Sequence, residues 1–193
     1  MSDTFPDLKR TVAAIAVTVM FSIPLVGPAF AQEADLADEA ELLFRLAEAD
    51  LTEAMRLDRQ LQAIWSKSGS AAMDLLLKRG RDALEVDNVG EAIEHLTALT
   101  DHAPEFAEGW HVRASAFFEA EFYGPALADL ERALSLNPNN YNAIFGLASI
   151  LETFEQDALA YEAYGRVLAI HPHHEEVTKA MSRLKPSVEG KTL

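Results

Sequence analysis

The 193-residue sequence predicts an all-α fold, a solenoid of stacked helix pairs, and three observations carry that expectation. Pro104, Pro138 and Pro172 fall 34 residues apart. Small and large side chains recur at fixed offsets before each proline. Between the prolines, apolar residues run at three- and four-residue spacing in two stretches per period, as amphipathic helices require. A fixed period of this length means a repeat array, in which each unit buries its apolar face against its neighbours.

Residues 1–31 read as a leader and not as part of that fold. Lys9 and Arg10 precede the apolar run Val12–Val26, and Gly27-Pro28-Ala29-Phe30-Ala31 ends in an Ala-x-Ala pattern suited to cleavage after Ala31. The run has 15 residues, short of the roughly 20 that span a bilayer. A Sec-type signal peptide is therefore expected, with a retained membrane anchor as the other reading. Cleavage would leave no stable membrane span and a periplasmic or secreted protein. Two acidic and two basic residues in 1–31 leave the full −15 on the remainder.

Residues 32–72 open with the acidic run Glu33, Asp35, Asp38, Glu39 and Glu41, a solvated face. Two helices are expected next, over 38–47 and 51–66. Asp50 and Glu53 suit a helix start, and Gly69 suits a stop. The stripe of Leu43, Leu46, Ala54, Leu57, Leu61, Ile64 and Trp65 predicts an N-terminal cap or a degenerate fourth repeat. The alternative is a homodimer assembled through 33–66, since the stripe is long enough for a helical pair.

The repeat columns explain themselves as helix packing. Ala92, Ala126 and Ala160 stand twelve residues before each proline, and Gly80, Ala114 and Ala148 stand twenty-four before. These small residues let two antiparallel backbones approach. Leu96, Leu130 and Tyr164, with Leu76, Trp110 and Ile144, fill the flanking holes. Each proline closes a unit, because it breaks a helix interior yet is accepted in the first turn of the next. Asn88 with Glu91, Gly124-Pro125 and Asn137-Pro138-Asn139-Asn140 supply the boundary signals.

These columns resemble the tetratricopeptide repeat (TPR), whose signature is Trp-x2-Leu-Gly-x2-Tyr, then Ala-x3-Phe, then Pro. The unit 107–140 matches through Trp110, Ala114, Phe117, Ala126, Leu130, Ala133 and Pro138. The unit 141–174 matches through Ile144, Leu147, Ala148, Ala160, Tyr164 and Pro172, and 73–106 through Leu76, Gly80, Ala92, Leu96, Leu99 and Pro104. Departures are Ala83, where a large aromatic is usual, and Arg79 and Arg113, where an apolar residue is usual. The resemblance implies a right-handed α-solenoid whose first helices line a concave groove.

After the repeats, 175–185 is expected as a capping helix, with Val177, Ala180, Met181 and Leu184 on one stripe and charge on the other. Residues 186–193, with Pro186 and Gly190, are expected as a flexible tail.

Composition narrows the chemistry. There is no cysteine, which excludes disulfides, thiolate metal sites and cysteine nucleophiles. A cysteine-free exported chain fits a bacterial periplasm. Lys+Arg 16 against Asp+Glu 31 gives a field that repels nucleic acid. No Gly-x-Ser-x-Gly elbow, phosphate-cradling glycine loop or calcium-loop pattern occurs. His171, His173 and His174 sit in one inter-helix turn, where neighbouring side chains diverge, so no metal and no cofactor are expected.

Carried over by column, the groove would present Leu77, Arg81 and Leu84 from the first repeat, and His111, Ser115 and Phe118 from the second. The third would give Asn142, Phe145, Ser149 and Glu152. One TPR subclass clamps a partner's terminal carboxylate with Lys/Asn/Asn/Lys/Arg. Those columns here read Leu77, Arg81, Val112, Asn142 and Gly146, so that clamp is missing. The expectation is a non-catalytic adaptor that holds a peptide or helix of another envelope protein.

Overall fold

The computed structural model describes residues 29–190. The expected leader lies outside these residues, apart from 29–31, which open the first helix. Nine α-helices and no strand occur among the described residues. α1 (Ala29–Glu48) and α2 (Leu51–Trp65) form a hairpin, and α3 (Ala71–Glu85) with α4 (Val89–His102) form the first repeat. α5 (Ala107–Glu119) with α6 (Tyr123–Leu136), and α7 (Tyr141–Thr153) with α8 (Asp157–Ile170), form the second and third. α9 (Glu175–Glu189) packs on α8 and closes the array.

The column residues lie where the spacing puts them. Ala92, Ala126 and Ala160 are fully buried, as are Leu96, Ile144 and Ala148. A Cβ at Gly80 would lie 2.5 Å from Leu96 Cγ, so only glycine lets α3 approach α4 at that point. Asn140 caps α7 by accepting from the Asn142 and Ala143 amides, both at 3.1 Å, and Asp50 caps α2 by accepting from Glu53 N at 2.9 Å. Asn88 makes no side-chain cap; its amide reaches Glu91 instead. Two residues beyond the first helix of each repeat stands a residue in the left-handed region, Asp87 (φ 58), Glu121 (φ 60) or Glu155 (φ 57). The next amide folds back onto the helix, with Asn88 N on Ala83 O, Phe122 N on Phe117 O and Gln156 N on Leu151 O.

The α1–α2 hairpin does not stack on the first repeat as an end cap or fourth repeat would. Leu46, Ala54, Leu57, Leu61 and Trp65 are buried in one core with Tyr141, Ile144, Val167 and residues of α9. None of them joins the first repeat's core around Leu77, Leu96 and Leu99. Tyr141 is the hub: its ring lies 5.1 Å from Trp65, and its hydroxyl donates to Asp58 at 2.5 Å. Glu39 accepts from both Trp65 Nε1 and Asn137 Nδ2, while α1 packs on α8. On the first repeat's side, Arg81 donates to Ser66 Oγ at 2.8 Å, just beyond the end of α2. The hairpin is thus a strap along the inter-repeat turns, and its apolar stripe is consumed inside the chain.

At the other end, helix continues through the expected tail boundary to Glu189. Pro186 lies inside α9, where it gives up one backbone hydrogen bond, and Gly190 N closes on Pro186 O. Residues 191–193 lie outside the described residues.

Candidate binding groove

The inner faces of α5, α7 and α9 enclose a continuous groove. One part, about 340 Å³, is bordered by His111, Ser115, Phe118, Asn142 and Phe145. The other, about 500 Å³, continues past Phe118 and Phe145 to Ser149, Glu152 and Arg183. All the groove residues expected from the second and third repeats therefore come together.

The first-repeat residues do not join them. Leu77 is 2% exposed and packs with Leu96 and Leu99; Leu84 rests on the same cluster. Arg81 is held by an ion pair to Glu108 and by Ser66. Leu77 and Leu84 thus serve the first repeat's own core, and Arg81 its junction with α5.

Phe145 is the centre of the floor. Its ring stacks on His174 at 5.3 Å and lies 5.8 Å from Tyr164. Phe118 meets Tyr123 edge-on at 5.6 Å. The hydroxyls of Ser115 and Ser149 donate back to the carbonyls of His111 and Phe145, so they present little free polarity. Sequence reasoning missed α9, whose Glu176, Lys179 and Arg183 form the far wall. Its charged face was legible, but no sequence pattern places that face opposite α7.

Glu108, 2% exposed, is buried beside the groove residue His111. It takes the Arg81 guanidinium, His111 Nδ1 at 3.2 Å and Asn140 Nδ2 at 3.2 Å. Burial pushes its carboxyl up, but His111 and Arg81 outweigh burial and hold it below the usual range. Glu152 accepts from the Tyr164 hydroxyl at 2.9 Å and from Arg183 at 2.6 and 2.8 Å. Burial, with Glu152 beside it, pushes Tyr164 up to about 12, so it remains a donor. Burial also lowers His174 from its ordinary value.

Of the three histidines of the α8–α9 turn, His171 and His174 meet edge-on at 5.6 Å against Tyr141, and His173 turns away from them. His171 faces Tyr141 edge-on at 5.3 Å, His173 meets Ala49 O at 2.9 Å, and His174 accepts from Val177 N. Among the described residues no three His, Asp or Glu gather as metal ligands, and no helix is long and apolar enough to cross a membrane.

No protein-family model matches the chain. It is 28% identical over 143 residues to a TPR repeat-containing protein of Rhizobium etli, covering 74% of this chain and 70% of that one. In structure it resembles the first TPR domain of Spaghetti, solved with the HSP90 peptide SRMEEVD. The TM-score is 0.59 at 23% identity, over 62% of this chain and 98% of that one. It also resembles MamA, with a TM-score of 0.56 at 21% identity, over 74% of this chain and 85% of that one. By its repeat columns, its helix order and these likenesses, the chain has the fold of a tetratricopeptide-repeat solenoid.

Proposed function

We propose that the chain is a non-catalytic adaptor, exported to the bacterial periplasm, that holds a segment of another envelope protein in the groove of α5, α7 and α9. The observation that carries the reading is that Phe118 and Phe145 together line both parts of the groove, where the Ser115 and Ser149 hydroxyls are turned back onto their own helices. Such a surface suits apolar anchors of a peptide or helix, with the polar rim fixing register. The Spaghetti domain binds its peptide as a TPR module, which supports the class of activity. Export is supported by Lys9-Arg10, the apolar run and the Ala-x-Ala pattern.

The test is a photoreactive residue in place of Phe118 in the producing cell. One dominant product, lost on Phe145→Ser with the fold retained, supports the adaptor. Absence of any product counts against this face as a docking site. Export is tested by sequencing the mature N-terminus, expected to begin at Gln32.

A second reading is self-association, favoured by Phe44, Leu51 and Met55, which stay 62%, 58% and 55% exposed on the hairpin. It differs from a dimer through the whole 33–66 stripe, whose buried residues already serve the third repeat. It expects a concentration-dependent mass that Phe44→Ser and Met55→Ser abolish.

A further inference from the structure

The charges lining the groove are unequally matched. Its two cations are both engaged by the chain's own carboxylates, Lys179 Nζ with Glu175 at 2.5 Å and Arg183 with Glu152. Its anions are not: Glu119 on α5 and Glu176 on α9 both border the groove, and neither forms an ion pair among the described residues. Asp87, in the turn after α3, adds a second negative charge beside Glu119. Burial and that repulsion raise the Glu119 carboxyl above its ordinary value, as expected for a carboxylate with no cation at hand. Lys179 feels Glu176 as well as Glu175, but its ammonium is seated on Glu175.

We propose that the groove selects a basic partner segment, with apolar side chains seated against Phe118 and Phe145 and a neighbouring lysine or arginine reaching Glu119 and Glu176. This rests on the groove being the docking site, and it fixes the chemistry of what docks. An acidic segment would bring carboxylates against Glu119 and Glu176, with no unengaged lysine or arginine lining the groove to receive them. A neutral apolar segment would leave both carboxylates partly desolvated and unmatched. A basic segment relieves both conditions and is steered inward by the chain's overall −15 charge.

The experiment pans a random peptide library displayed on phage against the immobilised full chain. Three variants run beside it: Glu119→Gln with Glu176→Gln, Phe118→Ser with Phe145→Ser, and Ser115→Trp. The last fills the groove without removing core packing. The expected result is enrichment of sequences that combine apolar residues with Lys or Arg. Their synthetic peptides should bind roughly two- to tenfold more weakly to the double Gln variant, weaken as salt rises, and fail to bind Ser115→Trp. Enrichment of acidic or uncharged apolar peptides that Ser115→Trp blocks would overturn the charge selection and leave the groove standing. Enrichment indifferent to Ser115→Trp and to the Phe118/Phe145 pair, or none at all, would overturn both.

Discussion

Arg113 on α5 grips Asp129 on α6 with two prongs, Nε to Oδ2 at 2.6 Å and Nη2 to Oδ1 at 2.8 Å. Both side chains are nearly buried, at 13% and 6% exposure. The remaining guanidinium nitrogen donates to Thr100 Oγ1 of α4 at 2.7 Å, and Trp110 covers the guanidinium at 4.8 Å. The departure from the repeat pattern at Arg113 is therefore compensated across three helices.

Removing one partner should hurt far more than removing both. Asp129→Ala leaves a buried guanidinium unmatched and should destabilise by about 3–5 kcal/mol. Arg113→Met with Asp129→Leu replaces the pair by apolar volume and should fall close to the natural chain or above it. Chemical denaturation of the three proteins decides the matter. Equal losses in the single and double variants would mean that shape, and not charge, holds this junction.

Glu121 and Glu155 adopt positive φ in the turns inside the second and third repeats. A side chain there crowds the backbone by roughly 1–2 kcal/mol, which glycine avoids. Glycine also loosens the unfolded chain by about 0.4–1 kcal/mol, so the net gain is smaller. Glu155→Gly should raise stability by about 0.5–1 kcal/mol, read as a melting temperature higher by a few degrees. A drop in melting temperature would show that the folded-back amides depend on the acidic side chain.

These turns mark how far the sequence could be read. The period set the small and large columns, and the Asn140 and Asp50 caps formed as their residue types require. The acidic residue at each left-handed turn was equally periodic, yet nothing in an acidic side chain advertises positive φ. The groove was legible where one helix supplies it, as with Phe118 or Phe145. It was not legible where helices distant in sequence meet, as with Arg183 on Glu152. The strap was illegible for the same reason: an apolar stripe specifies that a helix is buried, and the contact of Asp58 with Tyr141 specifies where.

Acid should loosen the junction between strap and third repeat. His171 is buried with Nδ1 unpartnered, and burial, followed by His174, lowers its pKa. Asp58 opposes that shift, while Arg59 and His173 border the same site. A base whose pKa is depressed on folding binds fewer protons in the folded state than in the unfolded one. Its contribution is therefore complete above the ordinary histidine value of about 6.5 and is lost as pH falls below it toward the folded pKa. His171→Phe keeps the edge contact with Tyr141 and removes the titration. Its melting temperature should decline less than that of the natural chain between pH 7.5 and 5.5, both values being roughly centred on that pKa. Parallel declines would assign the acid sensitivity elsewhere. Glu108 acts in a separate, lower window: its depressed pKa places its loss below the ordinary carboxylate range.

The strap makes a spatial prediction that an end cap does not. Leu57 and Leu61 of α2 are fully buried in the core shared with Tyr141, Ile144 and Val167. Truncating either to alanine should destabilise by about 2–5 kcal/mol, because a leucine side chain is lost and a cavity remains. The informative readout is where backbone amides become labile. If α2 holds the third repeat, Leu57→Ala should speed hydrogen exchange in α7 and α8 while leaving α3 and α4 near their natural rates. A helix pair stacked on the first repeat would reverse that order, since in a solenoid each unit supports its immediate neighbour. Faster exchange confined to α3 and α4 would remove the strap. Loss confined to α7 and α8 would establish that residues at opposite ends of the sequence stabilise the same repeat, the one that supplies Phe145 to the groove floor.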